Sequence, residues 1–119
     1  MSFRVAVAIC VLAVITACGS SSSPTTPTSG GGNSVAIVSG ASTLTSTAFA
    51  PNPITVAVGS SVTWVNNDSV THTSVANNGA WTSPPIAPGG SFSTAFMTAG
   101  TFAYHCSIHP GMIGTVTVQ

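Results

Sequence analysis

The segment Tyr104-His105-Cys106-Ser107-Ile108-His109-Pro110-Gly111-Met112 sets a thiol, an imidazole and a thioether at Cys-x2-His-x2-Met spacing. It lies where an alternating, strand-like run gives way to a loop. Thiolate, imidazole and thioether are soft or borderline donors, and thiolate with thioether favours copper over the hard cations. A copper electron-transfer centre of this donor type takes two His and one Cys in a trigonal plane, with a weak, long axial Met. Three of the four stand in this one loop, so one imidazole must come from elsewhere. The chain holds three His in all, which leaves His72 and His105 to supply it. Successive side chains of a strand point to opposite faces, so His105, next to Cys106, points away from it. The expected ligand set is therefore His72, Cys106, His109 and Met112. Met also fills gaps in cores, but the place of Met112 in the loop favours the axial role, whereas Met97 reads as core or sheet edge.

The elements that must hold these side chains lie between about Val35 and Gln119, roughly 85 residues, enough for one small domain. Val35–Val38 opens as a strand, and Leu44–Phe49 offers a second. Ile54, Val56 and Val58 alternate with Thr55 and Ala57, and Val62 and Trp64 with Thr63 and Val65, the two-residue period of a half-buried strand. Asn66-Asn67-Asp68-Ser69 reads as a turn whose side chains suit local backbone bonding. Thr71–Ala76, Phe92–Met97, Thr101–Cys106 and the alternation of Val116 and Val118 with Thr115 and Thr117 complete the pattern. Trp64 is expected in the core, Trp81 in a loop. No stretch has a helical period. Seven to eight short strands punctuated by turn residues predict an all-β fold, a Greek-key β-sandwich.

Charge excludes several functions. The one basic side chain is Arg4 and the one carboxylate is Asp68. Nucleic-acid binding rests on phosphate neutralisation by Lys and Arg, and the domain has neither. Chemistry that needs two carboxylates is also out. Cys106 is the domain's lone thiol, so it forms no internal disulfide; a metal ligand, intermolecular pairing or an idle buried thiol are the readings left, and His109 and Met112 favour the ligand.

The first 34 residues are of another kind. Met1-Ser2-Phe3-Arg4, an apolar run from Val5 to Ile15 and the small residues Thr16-Ala17 describe a secretory signal. The run is shorter than the roughly 20 apolar residues that span a bilayer. Ile15-Thr16-Ala17-Cys18 resembles the lipobox of bacterial lipoproteins, which implies cleavage before Cys18 and its acylation; ordinary cleavage after Ala17 fits the small-residue rule equally well. Gly19 to Ser34 is Gly, Ser, Thr, Pro and Asn, the composition of a flexible linker reaching about 20 to 25 Å, or of a glycosylated stalk. The expected organisation is residues 1–17 signal peptide, 18–34 acylated Cys and linker, and 35–119 folded domain, exported and tethered to a membrane through Cys18.

Residues 35–119 resemble the cupredoxins, the small blue copper proteins of plastocyanin, pseudoazurin and amicyanin type. The resemblance is carried by Phe49-Ala50-Pro51-Asn52-Pro53-Ile54-Thr55-Val56, Gly59 to Asp68, His72-Thr73 and Tyr104 to Met112. It implies one type 1 copper held by His72, Cys106 and His109 in the plane and Met112 on the axis, with no enzymatic activity of its own. The short gap between His109 and Met112 is similar to the ligand loop of amicyanin. The family's usual Asn after the first ligand His is here Thr73, whose hydroxyl is able to tie the loops and whose amide is able to reach the Cys sulfur. The implied function is one-electron transfer by a monomer, with redox partner proteins docking at an apolar patch around His109; the alternative is copper buffering or delivery.

Overall fold

The computed structural model describes residues 33–119. The expected leader and nearly all of the expected linker lie outside the described residues. Eight strands form among them: β1 Ser34–Ile37, β2 Phe49–Ala50, β3 Ile54–Val56, β4 Ser60–Asn66, β5 Val75–Ala76, β6 Ser91–Phe96, β7 Gly100–His105 and β8 Ile113–Val118. They pair in two four-stranded sheets, in the orders β2-β1-β4-β6 and β3-β8-β7-β5. β1 runs parallel to β4 and β3 parallel to β8; the other pairings are antiparallel. This is the two-sheet sandwich that the alternation predicts.

The period-2 pattern decides which side chains face inward. In β4 the buried positions are Val62, Trp64 and Asn66, and in β1 they are Val35 and Ile37. Tyr104 on β7 and Val116 and Val118 on β8 answer them from the second sheet. Each fully buried aliphatic side chain contributes about 1.5–3 kcal/mol. The centre is aromatic: Trp64 lies 5.3 Å from Tyr104 edge-on and 5.6 Å from Trp81 between ring centroids, and Phe49 meets Tyr104 at 4.8 Å. Tyr104 pairs across the ladder with Gly114, where a Cβ would stand 2.8 Å from the ring's Cε1. Only a glycine lets the ring lie there.

Two strand expectations are corrected, and two side chains are placed. Leu44–Phe49 is not a strand: a 3-10 turn at Ala41–Thr43 precedes it, Ala41 is buried, and pairing begins only at Phe49. Thr71–Ala76 is strand only at Val75–Ala76, with His72 making an isolated bridge to Ile86. Trp81 does sit outside the strands, but it is buried and donates its Nε1–H to Ser74 Oγ at 2.9 Å. Met97 is 71% exposed, one residue past the inward Phe96 that ends β6.

Candidate metal centre

Cys106 leaves β7 and Met112 enters β8, so the loop between them bridges two neighbouring strands. The Cys106 N–H donates to the Met112 carbonyl at 3.1 Å, and the Met112 N–H to the His109 carbonyl at 2.9 Å. These bonds close the loop on itself. Tyr104 and Cys106 are buried on the inner side, while His105 is half-buried and bonds through Nδ1 to Asn77 Oδ1 at 2.6 Å. His105 thus points away from the cluster, as alternation requires.

His72 reaches the same place from the stretch after β4. Its N–H donates to the Ile86 carbonyl at 3.1 Å and its own carbonyl accepts from Ile86 N–H at 2.7 Å. The ring is fully buried, and His109 is half-buried. Cys106 Sγ stands 3.7 Å from His72 Nδ1 and 3.9 Å from His109 Nδ1. The donor atoms of His72, Cys106 and His109 all lie within 4.8 Å of one another. Metal–thiolate and metal–imidazole bonds of about 2.3 and 2.0 Å, set at trigonal angles, separate sulfur from nitrogen by about 3.7 Å. The cluster therefore has the dimensions of a three-coordinate plane around one ion. Met112 is fully buried at the loop's end.

Two sets of hydrogen bonds prepare these donors. Thr73 N–H donates to Cys106 Sγ at 3.3 Å, and Thr73 Oγ1 accepts from Ser107 N–H at 2.8 Å and pairs with Ser107 Oγ at 2.8 Å. The hydroxyl joins the His72 stretch to the Cys106 loop. Burial works to raise the Cys106 thiol; the Thr73 amide, the His72 ring and the His109 amide and ring outweigh it and bring it down to about 6. A lowered thiol is one ready to ligate as thiolate.

Behind His72 stands Asp68. Its Oδ2 accepts from His72 Nε2–H at 2.7 Å, and its Oδ1 accepts from Gly40 N–H at 2.9 Å and Ser69 N–H at 2.8 Å. The bond from His72, then those from Gly40 and Ser69, hold the carboxyl at about 2 against the opposing effect of burial. By its neighbours in the sequence Asp68 reads as a turn residue alone. Its turn role is real, since Asp68 N–H donates to Asn66 Oδ1, but the contact with His72 was missed. The available signal was the four-residue spacing between the chain's one carboxylate and the inferred ligand.

A β-sandwich with a buried thiolate and two imidazoles converging at one end defines a small metal-binding protein. Residues 35–119 match the family described as copper binding proteins, plastocyanin/azurin family, and the chain belongs to it. The chain is 42% identical over 84 residues to plastocyanin from Scenedesmus fuscus, covering 60% of this chain and 86% of that one. It is 36% identical over 69 residues to amicyanin from Paracoccus denitrificans, covering 54% of this chain and 53% of the relative. Among solved structures it is similar to a purple cupredoxin from Nitrosopumilus maritimus, with TM-score 0.68, 34% identity, and coverage of 73% and 99% of the two chains. No helix among the described residues is long and apolar enough to cross a membrane.

Proposed function

We propose that this protein carries single electrons between partners outside the cytoplasm, using one type 1 copper that His72, Cys106, His109 and Met112 would hold. The observation that carries the reading is the 3.7 and 3.9 Å spacing of Cys106 Sγ from the two Nδ1 atoms. Similarity to plastocyanin and amicyanin supports it. Copper, when bound, supplies the one-electron couple. The chain's own part is to hold the donors still, so that little rearranges when the electron moves. Cys106 would offer a polarizable thiolate, His72 and His109 two imidazoles from separate segments, and the buried Met112 a thioether. Four protein ligands leave no open position for a substrate, so the reading is of a carrier and not an enzyme.

His109 is the half-buried donor and the electron port of this reading. Ile108, 48% exposed, with the exposed Pro110 and Gly111 forms an apolar rim on which a redox partner docks, the protein acting as a monomer. The leader of residues 1–17, acylation of Cys18 and the linker to residue 34 would tether the domain of residues 35–119 outside the cytoplasm, in the periplasm or at the cell surface.

Titration of the metal-free protein with Cu(II) tests the site. One equivalent should give an intense blue thiolate band and a narrow EPR hyperfine splitting, both lost in Cys106→Ser. An ordinary Cu(II) spectrum that survives Cys106→Ser would end the reading. Reversible redox cycling at constant copper occupancy distinguishes the carrier from a copper-delivery protein, which would instead hand its copper to a metal-free acceptor.

A further inference from the structure

We propose that Asp68 is a positioning residue for His72: it fixes which ring nitrogen is free to ligate, and its charge favours the oxidised over the reduced metal. The inference rests on the copper reading above.

Asp68 is the only carboxylate in the chain, and it is buried. A buried charge costs several kcal/mol unless it is paired and hydrogen-bonded. Here three N–H groups converge on its two oxygens: Gly40 and Ser69 on Oδ1, His72 on Oδ2. Only a carboxylate accepts on both sides at once. An Asn in its place would set its NH2 against an N–H donor whichever way the amide turned.

The same geometry determines the tautomer of His72. With its proton on Nε2 and directed at Asp68, the lone pair lies on Nδ1, the atom 3.7 Å from Cys106 Sγ. Asn66 braces the arrangement, accepting from Asp68 N–H and donating through Nδ2 to the Val70 and Ile86 carbonyls. A carboxylate on the far side of a ligand imidazole fixes its orientation, and a fixed negative charge stabilises the more positive oxidation state. No second carboxylate side chain exists in the chain to support His109 in the same way. The two imidazoles are therefore unequal: a buried one held by a carboxylate and a half-buried one toward solvent.

The test combines ring-nitrogen NMR of the metal-free protein with the reduction potential of the copper-loaded protein, using Asp68→Asn, Asp68→Ser and Asn66→Ala. In the unaltered metal-free protein His72 should be protonated on Nε2 alone. Removal of the carboxylate should mix or invert the tautomer. It should also lower the ratio of Cu(II) to Cu(I) affinity by about tenfold, a rise in potential of about 59 mV. Asn66→Ala, which loosens the segment but keeps the charge, should lower thermal stability with a smaller change in potential. An Nδ1–H tautomer in the unaltered protein overturns the inference. So does an unchanged potential without the carboxylate, or an equal shift in Asn66→Ala. If the blue band never forms, the copper reading fails on its own, and the NMR still decides the positioning.

Discussion

The backbone N–H of Thr73 donates to Cys106 Sγ from 3.3 Å, joining two segments 33 positions apart in the chain. The same residue receives the Ser107 N–H on its hydroxyl, which also reaches Cys106 Sγ at 3.7 Å, so backbone and side chain both serve the sulfur and the side chain alone ties the neighbouring loop. Thr73→Val separates these duties. It keeps the amide and the shape but leaves the Ser107 N–H without its partner, at a cost of about 1–3 kcal/mol. Denaturant melts should register that loss, while the blue thiolate band of the copper-loaded variant stays in place.

The lowered Cys106 thiol makes the metal-free protein sensitive to pH. Its folded value of about 6 lies below the ordinary 9.0, so the fold favours the thiolate. Stability from this source is complete above about pH 9 and declines as pH falls toward 6, where both states bind the proton. Denaturation midpoints across that window should therefore fall on acidification, and Cys106→Ser should remove this component of the slope.

Tyr104 Oη and Trp64 Nε1 are buried without a well-formed hydrogen bond among the described residues. Burial pushes the phenol above its ordinary value, and the nearby indole offsets this only in part. Tyr104→Phe removes an unpaired hydroxyl and should leave stability unchanged or raise it by about 1 kcal/mol. A drop of that size would instead reveal a working bond between the two rings. Gly114→Ala is the opposite case: the added methyl meets the Tyr104 ring and should destabilise by about 1–3 kcal/mol or more, read as a lower Tm.

Partner association should depend little on salt. Electrostatically steered encounters slow steeply as ionic strength rises, yet the domain has no Lys or Arg and its one carboxylate is buried. Stopped-flow rates with a redox partner should be nearly flat across ionic strength, and Ile108→Glu should slow them at every salt concentration. A steep fall with salt in the unaltered protein would refute docking through the apolar rim.

Membrane attachment is tested at Cys18. Cell fractionation with fatty-acid labelling should find the unaltered protein labelled and membrane-bound, and Cys18→Ser unlabelled and soluble. Equal release of both would assign the leader to ordinary secretion.

Much of this was legible in the sequence because the information was local. β4, β7 and β8 follow alternation strict enough to assign each side chain a face, and the Cys106–Met112 loop declares its chemistry in seven residues. What was misread depends on distant partners. His72, Thr73 and Ser74 are all buried in succession, because they are covered from both sides by the Cys106 loop, Ile86 and Trp81. Such a stretch is not a one-faced strand, although its composition resembles one. Asp68 looked like a turn residue because its neighbours are turn formers; its bond to Gly40, 28 positions earlier, has no local signature.

The order of strands carries one more consequence, for how the molecule avoids sticking to itself. β2, β6, β3 and β5 are the margins of the two sheets. Proteins commonly guard such margins with lysines, a means this domain lacks. Three of the four are only two or three residues long, too brief to template a foreign strand. β6 has six residues, which makes it the longest of the four marginal strands. Brevity thus does for three margins what charge does elsewhere, and the stickiness of concentrated protein will be decided along Ser91–Phe96.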